Sequence, residues 1–143
     1  MPYARIYVEI TNICNRRCSF CPGTTRPPQR MSLAEFDTVT ARLAGVTEYL
    51  YYHVMGEPLT HPLLPDFIRL AKVRGFKSAI TTNGVLLPER GQELMDAGVY
   101  KVNISVHSFE DGEDVAAHER YLDGLLDFAH RASSAGVLVV LRL

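Results

Sequence analysis

Five short apolar runs, rich in β-branched and aromatic residues, alternate with four stretches of helical periodicity along 143 residues. This alternation constrains the fold more than any other feature. The runs cover residues 5–13, 49–55, 77–82, 101–107 and 137–143. A strand that is followed by a helix and then by another strand is the unit of a parallel sheet, so an α/β fold with right-handed crossovers is expected. Apolar residues make up 47% of the chain, enough for one core, and a single domain over residues 1–143 is expected.

The helices are marked by caps as well as by spacing. Ser32 and Glu35 form a capping-box pattern, and Leu33, Phe36, Val39 and Leu43 then share one face. A second helix over residues 63–74 turns Leu64, Phe67, Ile68 and Ala71 inward and stops at Gly75. A third begins near Pro88 and stops at Gly98. The fourth, residues 119–134, places Leu122, Leu125, Phe128, Ala129 and Ala132 on one side and ends at Gly136. Two segments are expected as loops: 14–30, stiffened by prolines, and 108–116, a solvated acidic stretch. The run 137–143 has the composition of a buried strand. A sheet ending there would expose an apolar edge, so the chain reads as the front part of a longer protein.

The net charge of −1 lacks the basic excess of a nucleic-acid binder. No run of eighteen apolar residues suggests a membrane span, and the first residues lack a signal-peptide pattern, so a cytoplasmic location is expected. All three cysteines fall between Cys14 and Cys21. An odd number packed so closely suits no disulfide framework. Three thiolates on one metal centre is the better reading; a zinc site or a saturated iron–sulfur cluster needs a fourth ligand, which His53, His61 or His107 would have to supply.

In parallel α/β folds, ligands bind at the carboxyl ends of the strands. Cys14 follows the first run, Gly56-Glu57-Pro58 the second and Thr82-Asn83-Gly84 the third. Ser105 and His107 end the fourth, and Arg142 lies near the end of the fifth. Chemically capable groups therefore gather on one rim. Cys14-Asn15-Arg16-Arg17-Cys18-Ser19-Phe20-Cys21, a C-x3-C-x2-C pattern after a first strand, resembles the cluster loop of the radical S-adenosylmethionine (radical SAM) superfamily. The resemblance implies a partial (β/α) barrel of six units, of which five strands are visible here. It also implies a 4Fe–4S cluster on Cys14, Cys18 and Cys21, with its fourth iron left for the amino and carboxylate groups of S-adenosylmethionine.

The same resemblance assigns further contacts. Gly56 and Glu57 match the family's Gly-Gly-Glu motif at the methionyl ammonium, with Met55 replacing the first glycine; a plain Gly/Pro turn is the alternative. Phe20 occupies an aromatic position whose neighbourhood packs on the adenine, or is an apolar plug over the cluster. Ser105 resembles a serine at the ribose or methionyl carboxylate. Asn83 resembles a strand-three residue near the cofactor, although Asn-Gly is also a generic turn. His107 is either functional or structural, and Arg142 either pairs with the cofactor carboxylate or meets solvent. On the fourth run, Val102, Ile104 and Val106 should face helices, and Asn103, Ser105 and His107 the barrel interior.

The implied activity is reductive cleavage of S-adenosylmethionine and hydrogen abstraction from a substrate. The implied partner is a flavodoxin- or ferredoxin-like one-electron donor, for which Arg16 and Arg17 offer docking charges. The Cys-Ser-Phe-Cys-Pro and Met-Gly-Glu-Pro-Leu wording is similar to members that modify peptides or proteins and carry a further cluster (SPASM) domain. Glycyl-radical-activating enzymes are next within the class. Outside it stand a non-catalytic iron–sulfur or zinc protein and an inactive fragment of a longer enzyme.

Overall fold

A computed structural model describes residues 2–108 and 114–143. The strands are β1 (Ile6–Tyr7), β2 (Tyr49–Tyr51), β3 (Lys77–Thr82), β4 (Lys101–Ser105) and β5 (Leu138–Arg142). The helices are α1 (Leu33–Leu43), α2 (Leu64–Val73), α3 (Leu87–Ala97) and α4 (Val115–Ser134), with 3-10 turns at Pro58–Thr60 and Val106–Ser108. All neighbours in the sheet are parallel and the spatial order is β1-β2-β3-β4-β5. The helices pack in the same succession, α1 on α2, α2 on α3 and α3 on α4. A curved wall of strands backed by one layer of helices is the partial barrel that the alternation implied.

The pleat decides which side chains meet the helices. Leu50, Ile80, Val102 and Ile104 lie fully buried in the core. Phe36 of α1 stacks on Phe67 of α2 with centroids 4.5 Å apart and meets the edge of Tyr52 at 5.5 Å. The Tyr52 hydroxyl is satisfied by Ser78 Oγ at 2.7 Å, which lets a phenol sit at zero exposure. The Ser32 capping box forms as expected, with Ser32 N donating to Glu35 Oε2 at 2.7 Å.

Several expected boundaries shift, each for a hydrogen-bonding reason. β1 is far shorter than residues 5–13, because after Val8 N bonds Tyr51 O the chain turns to a different partner, and Met31 N donates to Ile10 O. β2 stops at Tyr51, before the left-handed backbone of Gly56. β4 ends at Ser105; Val106 and His107 enter a 3-10 turn, so strand alternation does not extend to them. α4 starts four residues earlier than expected, because the Asp114 carboxylate accepts from Ala116 N and Ala117 N. That capping residue comes from the expected acidic loop, whose Glu110, Asp111 and Glu113 lie outside the described residues. β5 is not buried: as an edge strand paired only with β4 it leaves Leu138, Val140 and Leu141 exposed. Among the described residues no helix is long and apolar enough to cross a membrane.

The Phe36–Phe67–Tyr52 cluster joins two helices to β2. Phe36→Ala should therefore cost about 3–5 kcal/mol of unfolding free energy, read as a lowered urea midpoint at unchanged slope.

Candidate functional site

The cysteines sit on a loop closed at its neck. Thr11 and Arg30 form an antiparallel bridge, Gln29 N donates to Asn12 Oδ1 at 2.7 Å, and Asn12 Nδ2 donates to Pro27 O at 2.9 Å. Glu9 braces the neck from the first strand run. Its carboxylate takes both Arg26 guanidinium nitrogens, at 2.6 and 3.0 Å, and also accepts from Met55 N at 3.0 Å. The Arg26 bond, aided by Met55, holds the Glu9 carboxyl below its ordinary value despite partial burial.

Beyond the neck, Cys14, Cys18 and Cys21 border one cavity of about 460 Å³, which Met55, Gly56 and Arg17 also line. Cys21 N donates to Cys18 O at 3.0 Å, closing a tight turn, and the Cys18 thiol points to Ser108 O at 3.8 Å. Burial raises the pKa of Cys14, and the charges of Glu57, Cys18 and Cys21 add to this against a backbone bond from Arg16. Bare thiolates would repel one another here; a bound cation reverses that balance. Among the described residues no three His, Cys, Asp or Glu side chains converge tightly enough to hold a single metal ion. Three thiols bordering one cavity are a donor set that an iron–sulfur cluster would accept.

Of the histidines weighed as a fourth ligand, His61 has both ring nitrogens bonded to the backbone. His61 is fully buried, Leu63 N donates to its Nδ1 at 3.1 Å, and its Nε2 meets Met31 O at 2.9 Å. With Nδ1 accepting, the proton sits on Nε2 and both nitrogens are committed. His53 is half-buried and packs edge-on to Tyr7 at 5.4 Å. His107 lies by Phe20, with ring centroids 5.2 Å apart, and its Nδ1 is 3.3 Å from Arg142 O.

Gly56 and Glu57 have separate roles. At Gly56, φ is +80°, and a Cβ would fall 2.6 Å from Thr11 O and 2.8 Å from the Asn12 carbonyl carbon. Only glycine permits this approach, and Glu57 N then donates to Ile13 O at 2.8 Å beside the first cysteine. The Glu57 side chain is buried. Oε1 accepts from Leu59 N at 3.0 Å and Thr82 Oγ1 at 2.7 Å, and Oε2 accepts from Asn83 N at 2.8 Å. Burial raises its pKa, and these three donors oppose the rise.

Asn83 is bonded at all four of its polar groups. Besides its amide N–H to Glu57, its carbonyl accepts from the Tyr121 hydroxyl at 2.8 Å and its Oδ1 accepts from Val85 N at 3.0 Å. Its Nδ2 donates to Asn15 Oδ1 at 2.7 Å. Asn103, expected to face the interior, is buried and donates to Ile80 O and Thr81 Oγ1. Ser105 is half-buried and opposite Arg142 in the register. The Arg142 side chain is exposed at the rim. The structure thus brings the cysteines to Gly56, Glu57 to Asn83, Phe20 to His107, and His107 to the Arg142 backbone. Sequence reasoning missed Glu9, Asn12, Asn15 and Tyr121, and named Thr82 only as part of a strand-end motif. Glu9 alone carried a signal, a carboxylate inside an apolar run.

Comparison with known proteins identifies the family. The family model described as the radical SAM superfamily matches residues 8–143. The chain belongs to the radical SAM superfamily. The family uses a 4Fe–4S cluster and S-adenosylmethionine. The chain is 35% identical over 109 residues to the GTP 3',8-cyclase of Chlorobaculum tepidum, covering 73% of this chain and 33% of that protein. It is 31% identical over 126 residues to the tungsten-containing aldehyde ferredoxin oxidoreductase cofactor-modifying protein of Pyrococcus furiosus, covering 84% and 35%. The chain thus spans about a third of the length of these relatives. Among solved structures it is similar in fold to BtrN in complex with AdoMet and 2-DOIA, at a TM-score of 0.74 and 23% identity, covering 98% of this chain and 57% of that one.

Two outcomes follow. Gly56→Ala should strain the close approach and cost about 1–3 kcal/mol, measured by denaturant unfolding. Burial also lowers the pKa of His61 from 6.5, so the unfolded chain takes up a proton that the folded chain refuses. The stability this ring contributes is complete above pH 6.5 and is lost as pH falls through the folded value. His61→Gln should flatten that acid limb in unfolding curves measured between pH 5 and 7.5.

Proposed function

We propose that this chain is the S-adenosylmethionine-cleaving core of a radical enzyme. The observation that carries the reading is the convergence of three thiols on a cavity whose remaining wall includes Gly56. Cys14, Cys18 and Cys21 would hold the 4Fe–4S cluster through deprotonated sulfur and leave one iron to a small-molecule ligand. When loaded and reduced, the cluster supplies one electron to S-adenosylmethionine and releases methionine and a 5′-deoxyadenosyl radical that abstracts hydrogen from the substrate.

The chain's own residues bind and orient. The Gly56 backbone offers polar groups beside the cavity at the methionyl end. The buried Glu57 carboxylate, held by Thr82 and Asn83, supplies a fixed negative field for an ammonium, and Asn83 supports it. Phe20 and His107 form an exposed aromatic pair beside the third cysteine, which would suit stacking on adenine. Ser105 and Arg142, register partners at the rim, would meet the ribose and the cofactor carboxylate.

A flavodoxin- or ferredoxin-like donor would supply the electron, with the exposed Arg17 as a docking charge; Arg16 is half-buried beside Tyr121. For the substrate, the names of relatives at 30% identity or more favour a purine nucleotide. A peptide or protein substrate, with a SPASM-type extension, is supported by the Met-Gly-Glu-Pro-Leu wording.

Anaerobic reconstitution followed by electron paramagnetic resonance tests the core claim. The reduced signal should change on addition of S-adenosylmethionine, and reduction should yield 5′-deoxyadenosine. Cys18→Ala should lose most of the bound iron. An unperturbed signal with no 5′-deoxyadenosine refutes the proposal, and full iron content in Cys18→Ala refutes the ligand assignment.

A further inference from the structure

The cysteine loop leaves the fold at its neck, and its far side meets the end of β4 through Cys18 at Ser108 O and Phe20 on His107. A further anchor is Asn15, between the first and second cysteines. Its Oδ1 accepts from Asn83 Nδ2 at 2.7 Å, joining residues 68 positions apart. The orientation of the Asn83 amide is settled by its other bond: Val85 N donates to Oδ1, so that atom is the oxygen and Nδ2 is the donor toward Asn15. Asn83 is itself immobilised, because its backbone N–H bonds Glu57 and its carbonyl bonds Tyr121 of α4. One buried residue therefore touches the Glu57 carboxylate with its backbone and the cysteine loop with its side chain.

We infer that Asn15 is a positioning residue, which sets the distance between the three thiols and the Gly56–Glu57 segment through Asn83. This deepens the reading given under the proposed function and rests on it for its effect on S-adenosylmethionine. The structural part stands independently. Asn15 is exposed, and this hydrogen bond is a long-range contact between it and the turn after β3. Losing the acceptor loosens the stretch from Cys14 to Cys18 without removing any sulfur ligand or any apolar packing.

The test compares Asn15→Ala with Asn15→Asp in the full chain. Asp keeps an oxygen for Asn83 Nδ2, and Ala does not. In the metal-free protein, amide hydrogen exchange over residues 14–21 should quicken about five- to tenfold in Asn15→Ala, the worth of one neutral hydrogen bond, while β3 and α2 exchange as before. Asn15→Asp should stay near wild type. In reconstituted protein, Asn15→Ala should keep its iron content but need about five- to tenfold more S-adenosylmethionine to half-perturb the paramagnetic signal. Unchanged exchange in Asn15→Ala overturns the tether, as does an Asp variant as loose as the Ala one. Faster exchange without a shift in S-adenosylmethionine dependence confines the tether to the loop and overturns its positioning role. Wild-type protein that fails to respond to S-adenosylmethionine overturns the cofactor reading instead, and the exchange result is unaffected.

Discussion

The site depends on one buried carboxylate. Glu57 lies at the meeting point of the turn after β2, the turn after β3 and, through Asn83, the cysteine loop and α4. A charge removed from water must recover its solvation from fixed donors, and Leu59 N, Thr82 Oγ1 and Asn83 N supply them. That requirement locks the turns in register. The left-handed Gly56 beside it presses the β2 turn against residues 11 and 12, so the same few atoms decide where Cys14 emerges. The thiols can therefore sit on an exposed loop and still be placed relative to the sheet.

The architecture was legible because it is local. Periodicity and caps marked α1, α2 and α3, and a short β-branched run marked β3; in the structure each βα unit adds its strand beside the last. The errors were in the same places where the backbone changed partner. Residues 8–13 keep the composition of a strand but bond the returning leg of the cysteine loop. The start of α4 was set by Asp114, which reads as one more acid in an acidic stretch. Tyr121, the first fully useful core residue of that helix, was masked by its hydroxyl, whose partner is a carbonyl 38 positions away.

The site was legible in its chemistry and not in its support. The cysteine spacing, Gly56, Glu57 and Asn83 could be named because each stands at a strand end and carries a recognisable group. The Asn15–Asn83 bond, the Glu9–Arg26 clamp and the Thr82 hydroxyl could not, because none has meaning until loops distant in sequence are adjacent. Asn83 and Glu57 show the consequence: residues expected to reach outward toward a ligand also hold the loops together. His61 shows it too, since an apparent candidate ligand has both ring nitrogens committed to the backbone.

A 4Fe–4S cluster held, as proposed, by Cys14, Cys18 and Cys21 would divide its four irons unequally. Mössbauer spectroscopy of the reconstituted, iron-57-labelled chain measures that division directly. Four irons per chain in a three-to-one pattern are expected, with the single site alone shifting when S-adenosylmethionine binds. Four equivalent irons that ignore S-adenosylmethionine, or a stoichiometric zinc ion in their place, would contradict the account.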